Sequence, residues 1–397
     1  MIQTAGIPPR IALIGVSGYA EVYIDWLLEA HRDGSIRMAA ATILPNERKL
    51  PSAVALQAIV SKIYDSYEDM CAAEAGKLDI CFIPTGIQWH APMAIAALKA
   101  GCNVLVEKPL AGSIADVDRV RAAEKQYDKW IAVGFQDMYT AEILQLKQSL
   151  LNGIIGKIQS VSMIGAWPRP VSYYERNQWA GKLEVNGSAV MDSPLNNAFA
   201  HFVNLSLFLA GEELRASVNA KVDQAELFHA HDIESFDTAV VQATAENGVS
   251  LWFGVTHASA ETIEPRIRIV GERGSVVWEH EKDCTIFADS QEPVTVPVPR
   301  YGQTRKKMFE NVIARLAQSS TPICDTLIAK SHTCLIEGIH KNAEIAPIHP
   351  DLVEAVNIGT DKQSIPAIKE IGSLLERAFE TGSGLGDLSV NAVQAER

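Results

Sequence analysis

The first third of the chain alternates short apolar runs with stretches of helical periodicity. Ile11 to Ile14 is the first run. It passes through Gly15, Ser17 and Gly18 into a segment whose Tyr23, Leu27 and Leu28 fall on one helical face. The pattern recurs downstream. IRMAAATIL predicts a second buried strand, KLDICFIPT a third, CNVLVEKP a fourth and WIAVGFQ a fifth, with helices over HAPMAIAALKAG and SIADVDRVRAAEKQY. Strands and helices in alternation predict a parallel sheet covered on both faces. Ligands of such sheets bind beyond the C-terminal strand ends. Those ends carry Gly15 to Ala20, Pro84-Thr85 and Glu107-Lys108-Pro109.

The first of these ends has the layout that aims backbone N–H groups and a helix N-terminus at a pyrophosphate. It matches G-x-G-x-x-G imperfectly. Gly15 fits, Ser17 and Ala20 replace the second and third glycines, and Gly18, next to Tyr19, sits off register. Taken alone, a plain strand-to-helix turn fits it as well.

After Gln136 the alternation stops, and AEILQLKQSLLNGIIGKI reads as helix, turn and strand. A chain of 397 residues is also too long for one ordinary core. Two domains are therefore expected, residues 1–137 and 138–397. The net charge of -13, from 35 basic and 48 acidic residues, would repel a polyanion, which argues against nucleic-acid partners. No apolar run reaches the length of a membrane span. The opening MIQTAGIPPR lacks the layout of a secretory signal, and the six cysteines show no C-x-x-C spacing. Reduced thiols in a cytoplasmic protein are the expectation.

CFIPTGIQWHAPMAIAALKAGCNVLVEKPLA resembles the signature of the Gfo/Idh/MocA oxidoreductases, the superfamily of glucose–fructose oxidoreductase and inositol dehydrogenase. Pro84-Thr85, His90, Ala100-Gly101 and Glu107-Lys108-Pro109 fill most of that pattern, with Gly86 in place of a proline. ENGVSLWFGVTHASAETIEPRIRIVGERGSVVWEHE is similar to the family's C-terminal sheet, with its Ile-x-Gly-x-x-Gly hairpin turn. The resemblance implies an α/β chain: an N-terminal Rossmann dinucleotide-binding domain, then an α+β domain with a large open, mostly antiparallel sheet that binds substrate and mediates oligomerisation. It implies an NAD(P)-dependent dehydrogenase or reductase acting on CH–OH groups of a sugar, sugar derivative, cyclitol or glycoside. It also implies a homodimer or homotetramer. Lys108 would stand beside the nicotinamide and steady a substrate alkoxide. Gly15, Ser17, Gly18, Tyr19, Pro84, Thr85, His90 and Glu107 would line the cofactor.

The choice between NAD and NADP stays open. An acid at the end of the second strand would hold the ribose of NAD, but Ile43 occupies that place. Arg48, a few residues on, could meet the extra phosphate of NADP. NERK is equally an ordinary solvated helix start.

MDSPLNNAFAHFVN bears the proton chemistry. The family's catalytic helix usually reads Asp-x-Gly-x-His-x-x-Asp. Anchored from the preceding glycines, Asp192 takes the acid's place and Asn196 the histidine's. Anchored from Leu209-Ala210-Gly211, Asn197, His201 and Asn204 take the three places, at i, i+4 and i+7 on one helical face. The second register is preferred. It makes Ser193 a helix N-cap with Pro194 at the first helical position, and Asp192 a charge beside that start. His201 is then the proton acceptor, a role that suits histidine because the free imidazole has a pKa near ~6.5. Asn197, Asn204 and Asp192 would meet substrate hydroxyls, joined by Tyr174 and Arg176 from the aromatic stretch GAWPRPVSYYERNQWAG.

His229, His231 and Asp232 hint at metal, but no further ligand cluster is evident in the sequence, so no metal is expected. SIPAIKEIGSLLERAFE predicts one amphipathic helix, and TGSGLGDLSVNAVQAER a flexible or partner-contacting end. Two other functions fit the same pattern: redox-assisted glycoside cleavage with a transiently reduced NAD(H), and a non-catalytic dinucleotide or sugar sensor.

Overall fold

The run Ile11–Ile14 lies at the middle of a sheet, with all four side chains buried. The computed structural model describes residues 7–358, 363–386 and 388. The start of the chain and most of its last ten residues, on which expectations about targeting and the tail bear, lie outside the described residues. The chain divides into two compact units. One runs to Tyr139 and includes Arg305–Thr326. The other is Thr140–Thr304 with the chain from Leu327 onward.

In chain order the first unit contains β1 (Arg10–Ile14), α1 (Ala20–Arg32), β2 (Arg37–Thr42), α2 (Pro51–Gln57), β3 (Lys62–Tyr64), α3 (Tyr67–Ala73), β4 (Ile80–Ile83), α4 (Ile87–Lys99), β5 (Asn103–Val106), α5 (Ile114–Tyr127) and β6 (Ile131–Val133). The strand order is β3-β2-β1-β4-β5-β6, and every neighbour is parallel. The order reverses direction between β1 and β4, which opens a crevice at their C-terminal ends. The short edge strand β3 and the helices α2 and α3 are absent from the sequence reading. β3 has no apolar run to betray it, because its three residues are exposed or half-buried. The segment Arg305–Thr326, which a boundary at 137 assigns to the second domain, folds with the first unit. Phe309 stacks on Trp26 of α1 at 4.5 Å and lies 6.0 Å from Phe82 of β4, so aromatic burial draws it there.

The remaining elements are α6 (Ala141–Leu151), β7 (Ile158–Ala166), α7 (Val171–Glu175), β8 (Glu184–Val185), β9 (Ser188–Ala189), α8 (Ala200–Ala210), β10 (Ala220–His229), β11 (Thr238–Ala245), β12 (Ser250–Thr256), β13 (Ile263–Gly271), β14 (Gly274–Glu279), β15 (Asp283–Ala288), β16 (Val294–Pro297), α9 (Tyr301–Ala317), α10 (Thr326–Asn342), β17 (Ile345–Pro347), β18 (Val353–Ile358), β19 (Gln363–Ile368) and α11 (Ile371–Thr381). Nine strands form one sheet in the order β16-β15-β14-β13-β7-β12-β11-β10-β17. It is largely antiparallel; β7–β12 and β10–β17 are its parallel pairs. The Gly271–Gly274 hairpin joins β13 to β14 as expected.

The two faces of this sheet are covered differently. Gly165 faces Phe199, just ahead of α8, and any side chain at 165 would strike that ring. Ile164, pointing the other way, joins Val240, Trp252, Ile371, Leu375 and Phe379 in a second core. α11 is bolted there by Arg266 to Glu376 at 2.6 Å and by Arg268 to the Phe379 carbonyl at 2.8 Å. The chain's own C-terminal helix thus covers the part of the sheet face through which self-pairing was expected. SIPAIKEIGSLLERAFE is not one helix. Its first residues belong to β19, which pairs with β18, and α11 begins only at Ile371.

α8 is buried on every side. Such a helix exposes no polar stripe, so polar side chains anchor it. Lys147 of α6, itself fully buried, donates to the Phe208 carbonyl at 2.5 Å and to the Gly211 carbonyl. Those carbonyls lie at the C-terminal end of the helix, where intrahelical partners run out, and the Phe208 carbonyl also accepts from the Gly211 amide at 3.1 Å. Burial pulls the Lys147 ammonium down to about 8.

Candidate functional site

In the first unit the site grows from the turn after β1. Gly15 has φ +95°, and a Cβ there would stand 3.2 Å from the Thr85 methyl. Gly18, at φ +62°, also needs the left-handed region, so its off-register glycine serves the turn. The amides of Val16, Ser17, Gly18 and Tyr19 make no hydrogen bond among the described residues. Four consecutive open amides ahead of a helix N-terminus form a cradle for an oxyanion. The residues present therefore fit a dinucleotide pyrophosphate.

Ser17 donates its hydroxyl to Glu47 at 2.7 Å. Glu47 lies four residues beyond Ile43, so the reading of the β2 terminus missed it; an acid does reach the turn, from farther along the loop. Arg48 is paired with Asp65 instead. NERK starts no helix; it is a turn ahead of α2. His90 is buried, with Nδ1 2.7 Å from the Pro109 carbonyl and Nε2 3.0 Å from the Thr85 carbonyl. Burial lowers its pKa, and a neutral ring donates to only one of the two. The ring is wedged between the Thr85 loop and the Glu-Lys-Pro segment and donates to one of them, so His90 positions those loops.

Glu107 is buried at the end of β5. Its Oε1 accepts from the Tyr23 hydroxyl at 2.7 Å and its Oε2 from the Lys108 amide at 3.0 Å. Burial raises its pKa, against the opposing pull of the Lys108 charge and of the Tyr23 bond. Gly134 is packed so closely that a Cβ would sit 2.7 Å from the carboxylate. The result is a rigid mount for Lys108, whose side chain is half-buried. Tyr23 counted in the sequence only as an apolar face residue, and Gly134 carried no signal.

In the second unit MDSPLNNAFAHFVN departs from the preferred register. Ser193 and Pro194 open a turn, and the helix begins at Ala200. Asn197 therefore precedes the helix, and the i, i+4, i+7 face shrinks to His201 and Asn204. The asparagines explain the delay. Asn196 spends its amide on the Val190 and Met191 carbonyls, and Asn197 donates to Asp192 Oδ1 at 2.9 Å, competing with helix formation. Asp192 is not a charge beside a helix start. It is buried, and its Oδ2 accepts from the Gly181 amide at 2.7 Å. The two registers, alternatives in the sequence, become bonded partners in the fold. His201 is buried, 5.9 Å from the Tyr301 ring, and the Asn204 amide is buried without a hydrogen bond among the described residues.

Around the aromatic stretch, Tyr174 meets His257 Nδ1 at 2.8 Å, and Arg176 lies over the Tyr173 ring at 3.7 Å. His231 binds Asp237 at 2.7 Å through Nδ1 and the Arg169 carbonyl at 2.9 Å through Nε2. These bonds account for the histidine spacing that hinted at metal. His229 bonds the His231 carbonyl at 2.8 Å. Among the described residues no group of three or more metal-ligating side chains gathers, and no helix is long and apolar enough to cross a membrane.

Residues 9–135 match the model of an oxidoreductase family with an NAD-binding Rossmann fold, and residues 143–277 match the GFO/IDH/MocA C-terminal domain. A myo-inositol 2-dehydrogenase of Thermotoga maritima is 25% identical over 241 residues, 59% of this chain and 65% of that protein. The chain thus spans just under two thirds of that relative's length. An inositol 2-dehydrogenase of Salmonella typhimurium is 36% identical over 101 residues, 25% of this chain and 30% of that protein. Among solved structures, the WlbA dehydrogenase of Bordetella pertussis, in complex with NADH and UDP-GlcNAcA, superposes with a TM-score of 0.68. It is 22% identical, over 85% of this chain and 96% of that one. An inositol dehydrogenase homolog of Azotobacter vinelandii, with NADH and myo-inositol, gives 0.69 at 17% identity, over 84% and 96%. At these identities the superpositions speak for the fold.

Proposed function

Because the chain belongs to the GFO/IDH/MocA family of oxidoreductases, we propose that it is an NAD-dependent dehydrogenase acting on a hydroxyl-bearing carbon of a sugar or cyclitol derivative. The observation that carries this reading is the mounting of Lys108. Its backbone is fastened through Glu107 to Tyr23 on the helix that follows the open-amide turn. NAD, when bound, supplies the hydride acceptor. NAD is preferred over NADP because Glu47, bonded to Ser17, puts a carboxylate at the turn, where a 2′-phosphate would be repelled and a ribose diol accepted. Arg48, engaged by Asp65, offers that phosphate less.

In this reading the Lys108 ammonium donates to the reacting hydroxyl and steadies the alkoxide that develops. His201 accepts the hydroxyl proton. Asp192 has one oxygen bonded to Gly181 and the other to Asn197, so it orders the loop that presents Asn197 to substrate hydroxyls. Asn204 offers a second buried amide with both its donor and acceptor open. The names of the relatives, two inositol dehydrogenases and a dehydrogenase in complex with UDP-GlcNAcA, support the substrate class. Calorimetric titration with both cofactors tests the NAD preference: tighter NADP(H) than NAD(H) binding would overturn it.

A further inference from the structure

Two arginines and a histidine crowd Tyr173, and Arg176 also donates to its backbone carbonyl. The Arg169 guanidinium lies 4.9 Å from its ring centre, Arg176 lies 3.7 Å away on the same ring, and the His257 ring centre is 5.6 Å off. Neither arginine has a carboxylate within ion-pair distance among the described residues. The acids in the neighbourhood are occupied. Asp192 accepts from Gly181 and Asn197, and Asp237 from His231, Ala230 and Thr238.

Counting hydrogen bonds at His257 identifies what is missing. Burial, with the nearby Arg169, His231 and Arg176 charges, holds its pKa well below the ordinary value, so the ring is neutral. If the Tyr174 hydroxyl donates to Nδ1, one group is left over, the Nε2–H. If Nδ1–H donates to Tyr174, two are left over, the tyrosine proton and the Nε2 lone pair. The first arrangement satisfies more groups and leaves a buried N–H donor without a partner. The Arg169 Nε–H is a second buried donor without an acceptor among the described residues. Buried donors left open each cost stability. Two of them, beside a further guanidinium, match a ligand that only accepts.

We propose that Arg169, Arg176 and His257 recognise an oxyanion, a carboxylate or a phosphate ester, carried by the carbohydrate substrate, with the Tyr173 ring packed beside it. The inference rests on the carbohydrate dehydrogenase reading and deepens it. A guanidinium fork binds such groups with paired hydrogen bonds, and the Nε2–H adds a donor from a fixed ring. Neutral sugars and cyclitols leave these donors poorly matched, so they bind more weakly.

The test is calorimetric titration of the NADH-loaded protein with D-glucuronate, D-glucose 6-phosphate and D-glucose. One of the two anions should bind ~10-fold or more tightly than glucose, the gain expected of charge-assisted hydrogen bonds. The anion that wins distinguishes carboxylate from phosphate. Arg169→Gln should erase that preference. Arg176→Gln, at an exposed position that tolerates change, should reduce it in part. Equal binding of all three probes, binding by neither anion, or an unchanged preference in both variants overturns the proposal. Cofactor reduction is read separately. Arg169-dependent anion binding without NAD reduction on any polyol removes the dehydrogenase reading and leaves this one. Turnover of neutral cyclitols without anion preference does the reverse.

Discussion

Glu107 and Asp192 are both buried carboxylates at candidate sites, and they are held in different ways. Glu107 ends a central parallel strand. It is gripped by a phenol from the neighbouring helix and by the amide of the very lysine it supports. Asp192 sits in a loop and is gripped by a loop amide and an asparagine that would otherwise have begun a helix. The first site is built on regular elements whose geometry is repeated in every such sheet. The second draws His201 and Asn204 from α8, but the rest comes from segments 167–181, with one short helix, 191–199 and 230–237 and from the end of β12. Regular elements give a transferable mount for the cofactor chemistry; loops give a surface whose donors are free to specialise toward one substrate.

The sharpest way to break this contrast is to remove the chemical groups one at a time. His201→Ala should lower kcat by about 10²- to 10⁴-fold, the usual effect of losing a general base. Lys108→Ala should cost about 10²- to 10³-fold, as for other donors to a developing oxyanion. Both should leave NADH affinity, read by calorimetry, nearly unchanged. Asp192→Asn should act mainly on stability, since its new amide would face the Gly181 N–H or the Asn197 amide, and a buried mismatch of that kind costs about 1–3 kcal/mol. An Asp192→Asn protein that melts normally yet is inactive would make Asp192 the proton acceptor and dissolve the distinction.

Lys147 tests how far the loop-built unit depends on buried polar anchors. Its folded pKa of about 8 lies below the 10.5 of an exposed lysine. Between these values the unfolded chain binds more protons, so stability rises with pH across that window, and the penalty is complete below it. Lys147→Met should flatten that part of the pH–stability curve in urea titrations. An unchanged slope would show that the ammonium is not desolvated. A smaller effect is expected from Gly134→Ala, where the added methyl would press on Glu107. Overpacking of this kind costs about 1–3 kcal/mol, seen as a lowered Tm, with kcat falling as Lys108 shifts. The smallest concerns Arg48→Ala. The side chain is half-exposed and paired with Asp65, so NAD(H) and NADP(H) affinities should move by less than about two-fold. A selective loss of NADP(H) would return Arg48 to the cofactor.

The elements that the sequence disclosed are those whose signal is contiguous. Ile11–Ile14, the glycine turn and Glu107-Lys108-Pro109 each fit within a few residues, and the strand–helix alternation places them together. Tyr23 and Glu107 are 84 positions apart, and no local pattern announces their bond. Glu47 was hidden by loop length: the acid was sought at the strand's last residue and arrives four residues later. In the second unit hydrophobic periodicity misled. MDSPLNNAFAHFVN has the spacing of a helix from Ser193, but Asn196 and Asn197 satisfy backbone and Asp192 first, and helical bonding waits until Ala200. His231 hinted at metal because its partners carry no local signal: Asp237 closes the same loop six residues on, and the Arg169 carbonyl comes from a distant one.

The central claim is hydride transfer to NAD from a carbohydrate hydroxyl. Its most direct measurement is the absorbance of reduced nicotinamide, alongside product analysis, with a panel of sugars, cyclitols and sugar acids, supplying NAD and NADP in turn. The account predicts reduced cofactor formed one for one with an oxidised sugar or cyclitol product, faster with NAD. Product released from a glycoside with no net cofactor reduction, or cofactor bound with no turnover across the whole panel, would contradict it.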